Sequence, residues 1–135
     1  MFQNILVPTD SSDKNSHALD IAVKLCSIDK GKIHLLHVIE VIANTTFDEF
    51  RDFYTRLEEK SFKDLNAMIA PYRKRRVDFA PVVIYGNRAQ EILRYANENQ
   101  IDLIIMKSHR IDVEDRAQGW GTISYKVGIL AQCPV

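Results

Sequence analysis

Two short runs, Ile5-Leu6-Val7 and Leu103-Ile104-Ile105-Met106, are apolar at every consecutive position, and no other feature constrains the fold as tightly. A strand with one wet face alternates apolar and polar side chains. A run without alternation has to be covered on both faces, as inner strands are in a parallel sheet flanked by helices. Asn4 to Pro8 is therefore expected to form a first strand, Lys32 to Ile39 a second, Val77 to Tyr85 a third and Leu103 to Met106 a fourth. Between them, Ala18, Ile21, Ala22 and Leu25 recur at helical spacing, as do Ala89, Ile92, Leu93 and Ala96, so each set predicts a helix with one inward face. The longest periodic segment runs from about Thr46 to Tyr72. It carries Phe47, Phe50, Tyr54, Leu57, Leu65, Met68 and Tyr72 on one stripe, which reads as core rather than as a cofactor box. A last helix should start near Thr122 with Ile123, Val127 and Leu130 inward, and Cys133-Pro134-Val135 then begins a fifth strand that is almost absent.

The alternation of strand and helix signals predicts an α/β domain over residues 1–135, and 135 residues suffice for one core but not two. Lys plus Arg and Asp plus Glu both total 18, so no global field is available to hold nucleic acid or an anionic membrane surface. The densest charge run, Arg73-Lys74-Arg75-Arg76, falls where cations complement the end of the long helix, which fits a solvated helix terminus better than a nucleic-acid patch. No stretch approaches the roughly 18 to 20 apolar residues of a membrane span, and Met1-Phe2-Gln3-Asn4 does not open a secretion signal. A cytoplasmic protein without membrane insertion is expected. Cys26 and Cys133 are too few and too far apart for a disulfide framework or a metal knuckle, and read as free buried thiols.

Ligands of open α/β sheets sit beyond the carboxyl ends of the strands, where the winding direction changes. After the first strand comes Pro8-Thr9-Asp10-Ser11-Ser12, with neither GxGxxG nor GxxxxGK[ST], so neither standard phosphate cradle is present. Asp10 would repel a pyrophosphate but can accept hydrogen bonds from a ribose hydroxyl or an adenine amine. Equally, Asp10, Ser11 or Ser12 can serve as a helix cap, worth about 1 kcal/mol. Ahead of the last helix, Gly119-Trp120-Gly121-Thr122 places free N–H groups where a phosphate would be attracted. His34 and His37 lie three apart on a strand and point to opposite faces, so together they cannot chelate one metal; both read as structural. His17 belongs to a polar helix flank.

Taken in order, Ile5-Leu-Val-Pro-Thr-Asp10, His37-Val38, Gly86-Asn-Arg-Ala-Gln-Glu-Ile-Leu93, Asp102-Leu-Ile-Ile-Met106, Ser108-His109, Gly121-Thr122 and Cys133-Pro-Val135 resemble the universal stress protein family over nearly the whole chain. The resemblance implies an open five-stranded parallel sheet of order 3-2-1-4-5 with its fifth strand truncated here, helices on both faces, and often a homodimer. It also implies a family divided between members that bind ATP and members that do not. In the ATP-binding branch the signature after the fourth strand is Gly, two residues, Gly, nine residues, then Gly with Ser or Thr. Here Lys107 and Arg110 stand at the first two glycine positions, ten residues (111–120) follow, and Gly121-Thr122 supplies the last pair. By the same resemblance Asp10 matches an adenosine contact, Val38 a backbone contact to the base, and Gly121, Thr122 and Ile123 phosphate contacts.

The candidate site is thus Pro8, Thr9 and Asp10, Val38, then Lys107, Ser108, His109 and Arg110, and finally Gly121, Thr122 and Ile123. If the second glycine position needs a left-handed backbone, arginine there costs roughly 1–2 kcal/mol and its side chain fills the space of the phosphate oxygens. Lys107, Arg110 and Arg116 offer charge-assisted bonds in exchange, but Asp112, Glu114 and Asp115 cancel their charge. ATP binding is expected to be weakened or lost, with an adenosine or AMP ligand as the intermediate case and Mg only if ATP binds. His109 lies in the candidate pocket without a nucleophile or an orienting carboxylate, so no enzyme is expected. The expected role is a stress-response regulator acting through a protein partner, with the 107–122 loop as any switch. Two other classes remain open: a slow ATP hydrolase using Thr122 and the loop cations, and a structural dimerisation module.

Overall fold

The computed structural model describes residues 2–10, 17–41, 48–107 and 123–135. The expected Thr46 and Phe47 start of the long helix, the Ser11 and Ser12 caps and the whole 108–122 loop lie outside these. Strands β1 (Asn4–Pro8), β2 (Lys32–Ile39), β3 (Asp78–Tyr85) and β4 (Leu103–Ile104) form one sheet of order β3-β2-β1-β4. All pairings are parallel, with Leu6 opposite His34 on one side and Ile104 on the other. The helices are α1 (His17–Cys26), α2 (Arg51–Ile69), α3 (Arg88–Glu98) and α4 (Ile123–Leu130); single 3-10 turns, Asp48–Phe50 and Ala70–Tyr72, flank α2. None is long and apolar enough to cross a membrane among the described residues.

The unbroken apolar run of β1 is explained by its two faces. Ile5 and Val7 point into a cluster with Leu19, Ala22, Val23 and Cys26 of α1 and Leu65 and Ile69 of α2. Leu6 points the other way, to Ile92 and Ala96 of α3, Ile104 and Val127. Strand β2 splits in the same manner, Ile33 and Leu35 to the first cluster and Leu36 and Val38 to the second. At the amino end of the sheet Asp102 fixes β4 against β1, its carboxylate accepting from the N–H of Gln3 at 2.8 Å and of Asn4 at 3.3 Å. At the other end Gly86 closes β3 with φ +145, a conformation that disfavours a side chain, and Asn87 caps α3 through Oδ1, which accepts from Gln90 N–H at 3.1 Å.

Several expectations are corrected. Among the described residues the sheet has four strands, not five: residues 133–135 contribute one ladder-like bond, from Ile104 N–H to Pro134 C=O at 2.9 Å. Pro134 has no N–H to return, and one bond does not make a ladder. Strand β4 spans two residues rather than four, although Ile105 N–H still donates to Leu6 C=O at 2.9 Å. Ile21 is 50% exposed because the inward stripe of α1 is Leu19, Ala22, Val23 and Cys26. Leu130 is 63% exposed because the inward stripe at α4 runs Ile123, Val127 and then Ala131. On α2 the stripe holds for Tyr54 and Leu65, while Phe50 belongs to the exposed first turn. Cys26 is buried and Cys133 half-buried, both free, with burial pushing each thiol up from its ordinary value.

His34 is a buried joint between three elements. Its Nε2 lies 3.2 Å from Asn4 Oδ1, an acceptor, so Nε2 carries the proton and Nδ1 accepts from Tyr95 O–H at 2.6 Å. Nε2–H would persist in the cation, but Nδ1 accepts only in the neutral ring, so the bond from Tyr95 O–H is the one that favours neutrality. Burial first, then the nearby Lys32 charge, lowers its pKa from the ordinary 6.5 to about 4.

Two outcomes follow from this packing. Leu6→Ala removes a fully buried side chain between β1 and α3 and is expected to cost about 2–5 kcal/mol in urea unfolding; a cost under ~1 kcal/mol would contradict the two-sided burial of β1. For His34, the unfolded chain takes up the proton first as pH falls, so its contribution is complete above pH 6.5 and is lost down to about pH 4. On the order of 3 kcal/mol of pH-dependent stability is expected in that window, and His34→Gln, which keeps a donor but does not titrate, should remove that part of the slope. Equal slopes in the two proteins would show that His34 is not held neutral.

Candidate functional site

Strands β2 and β3 succeed β1 on one side, and β4 lies on the other, so the winding direction reverses between β1 and β4. The crevice expected of such a sheet opens above their carboxyl ends. Pro8, Thr9 and Asp10 leave β1 there, and Met106 and Lys107 leave β4 beside them. Continuing the register beyond Pro8 opposite Leu36 puts Asp10 alongside Val38 of β2. Asp10 is exposed, Pro8 and Thr9 are half-buried, and Val38 is buried, its side chain in the core with Leu6 and Ile104. What Val38 can offer a ligand is therefore main chain.

The turn after β1 is tied down group by group. Thr9 N–H donates to Leu36 C=O at 2.9 Å, Thr9 C=O lies 3.0 Å from His37 Nδ1, and Thr9 Oγ1 donates to Asp10 C=O at 2.8 Å. Since a carbonyl only accepts, Nδ1 of His37 is the protonated nitrogen. The two histidines of β2 do face opposite sides. His34 reaches Tyr95 of α3, whereas His37 reaches back to the β1 turn. Among the described residues no group of three or more His, Cys, Asp or Glu side chains gathers that could hold a metal.

Of the expected site residues, Pro8, Thr9, Asp10, Val38 and Lys107 come together at the carboxyl end of the sheet. Ile123 begins α4, joined to β4 through 108–122, with its side chain partly buried against the Leu6 cluster. Ser108, His109, Arg110, Gly121 and Thr122 lie outside the described residues. Lys107 is exposed at the point where the chain leaves the sheet, where a glycine would have bared the main chain. His37, which reads as merely structural in the sequence, is joined to the site through Thr9. The available signal was its place: a side-chain donor on a buried strand end, next to the turn that carries Asp10.

Chemically, this arrangement offers an acceptor carboxylate and fixed main chain on the β1–β2 side, which suits hydroxyl and amine donors of a nucleoside. On the β4 side it offers a lysine in place of a bare peptide.

A family model described as the universal stress protein family matches residues 1–135. By sequence the chain is similar to the universal stress protein YxiE of Bacillus subtilis (strain 168), with 29% identity over 100% of this chain and 97% of that protein. By structure it is similar to the universal stress protein UspA of Lactobacillus plantarum, with a TM-score of 0.76 and 24% identity over 99% of this chain and 95% of that one. It is also similar to a universal stress protein family protein of Arabidopsis thaliana with AMP bound, with a TM-score of 0.64 and 19% identity over 98% and 88% of the two chains. At these identities the structural likenesses speak for the fold.

Proposed function

Because the chain belongs to the universal stress protein family, we propose that it is a cytoplasmic regulator of stress adaptation with an adenine-nucleotide pocket whose ATP binding is weakened or lost. It holds an adenosine or AMP group at the β1–β4 crevice and acts by binding a protein partner, not by turning over substrate. The observation that carries this reading is the contrast between the two sides of the crevice. On one side the Thr9–Asp10 turn is bonded to β2 through Leu36 and His37 and carries a carboxylate at the strand end, one residue beyond Thr9. On the other, Lys107 stands where the family signature has its first glycine, and Arg110 follows at the second.

An adenosine needs only the first side: Asp10 to accept from ribose hydroxyls and strand-end main chain to meet the base. A triphosphate needs the second, where N–H groups of a glycine-rich turn and a helix start would surround its oxygens. The Arabidopsis protein, bound to AMP, supports the idea that such a frame accommodates a nucleoside monophosphate. Three phosphates carry more charge than the loop returns, since the positive Lys107, Arg110 and Arg116 are balanced by Asp112, Glu114 and Asp115. Ligand contacts along 107–122 would then alter the surface offered to a partner, as long as the two forms of that loop bind the ligand differently.

Calorimetric titration with adenosine, AMP, ADP and ATP, with and without magnesium, tests this directly. AMP is expected to bind at least about tenfold tighter than ATP; ATP binding as tight as AMP binding overturns the degraded phosphate half. Asp10→Ala should weaken AMP by roughly ten- to a hundredfold, and an unchanged affinity would remove the carboxylate from the site. Arg110→Gly is expected to improve ATP binding by about tenfold if the second glycine position of the signature calls for a left-handed backbone, which a side chain disfavours by about that much. If parent and variant bind ATP equally, obstruction by Arg110 is excluded.

A further inference from the structure

Thr9 precedes Asp10, and both of its main-chain polar groups are bonded to β2. The N–H bond to Leu36 C=O, at 2.9 Å, is a ladder bond that almost any residue could make. The C=O bond is different, because its donor is the side chain of His37, 3.0 Å away. His37 is 8% exposed, so the ring is packed behind the turn and little water can replace it as donor. Burial alone does not call for an imidazole here. Ile33 and Leu35, on the same face of β2, are apolar and fully buried. What His37 adds is one N–H aimed at one carbonyl.

We infer that His37 is a positioning residue for the adenosine half of the pocket: its Nδ1–H holds the Thr9 carbonyl and so sets where Asp10 stands above the β1–β4 crevice. The inference rests on the proposed role of Asp10 as a ribose contact. It assigns the consecutive pair His37 and Val38 two tasks at one strand end. The side chain of His37 steadies the neighbouring turn, and the main chain of Val38 faces the ligand. Nδ1–H is present in the Nδ1-protonated neutral ring and in the cation alike, so the bond does not depend on the charge of the ring.

The test compares the intact chain with His37→Leu, His37→Asn and His37→Gln, using AMP titration and the amide resonances of Thr9 and Asp10 in the ligand-free protein. Asparagine carries its amide nitrogen near the place of Nδ1, glutamine carries it farther out, and leucine fills volume without a donor. His37→Leu and His37→Gln are expected to lose about tenfold in AMP affinity and to displace the Asp10 amide resonance, while His37→Asn stays within roughly threefold of the parent. A purely structural role would track thermal stability across the three variants instead of the position of the nitrogen. Equal AMP affinities in asparagine and glutamine variants, or an unmoved Asp10 resonance in both leucine and glutamine variants, overturn the assignment. If leucine prevents folding, the asparagine and glutamine pair decides. If the parent binds no AMP, the nucleotide reading fails, and the Asp10 resonance alone decides the positioning role: displaced in glutamine but not asparagine upholds it, and any other pattern overturns it.

Discussion

The parallel pairing of β1 between β2 and β4 is the constraint from which the rest of this molecule follows. Ile5, Leu6 and Val7 are almost wholly excluded from water, two side chains facing α1 and α2 and one facing α3 and α4. No alternation of polar residues could survive in such a strand, and a central strand has both of its edges hydrogen-bonded. Because β2 and β3 wind away on one side and β4 lies on the other, the same strand that anchors both cores also ends at the reversal of winding. Core and crevice are therefore two ends of one element. Changes at Leu6 are expected to act on stability, and changes three or four residues later, under the proposed function, on ligand binding.

The site divides along the same line. Its β1–β2 side is built of ordinary ladder bonds reinforced by one imidazole, and it presents Asp10 from a fixed turn. Its β4 side opens with Lys107 and continues to Arg110, the two cations that stand at the first two glycine positions of the family signature. A nucleoside asks for directional acceptors at fixed points, whereas a polyphosphate asks for close approach to main-chain N–H groups. The proposed preference for the smaller ligand rests on the first being retained while the second is filled. The histidines of β2 illustrate how strand geometry sorts one residue type into two tasks. Three positions apart, they face opposite sides; His34 donates to Asn4 of β1 and, as a neutral ring, accepts from Tyr95 of α3, while His37 donates to the turn.

Much of the fold was legible because burial on two faces leaves an unmistakable pattern. Strands β1 and β2 fall where the sequence places them, β3 starts one residue later, and the long helical segment ends at Tyr72 as its stripe predicts. Two helix positions depart from the expected faces for one reason: a helix can place an apolar residue at the margin of its inward stripe. Ile21 and Leu130 are as apolar as their neighbours, but helical period turns them outward, and only the position of the sheet decides which stripe wins. A fifth strand does not form at Cys133-Pro134-Val135, where Pro134 accepts one bond and can donate none. Of the site, the residues on regular elements were legible by motif. The part His37 plays was not, because a hydrogen bond from one strand end to the next turn depends on the register of β1 against β2, which no local pattern encodes.

The central claim is one of place: adenine nucleotides enter where β1 and β4 part. Amide shift mapping of uniformly nitrogen-15-labelled protein on addition of AMP tests it most directly. Among the described residues, the largest changes are expected at 8–10, 38–39 and 105–107, with α2 and the amino ends of the strands little affected. Largest changes along α2 or around the Arg73–Arg76 run, with the ends of β1 and β4 unmoved, would contradict it.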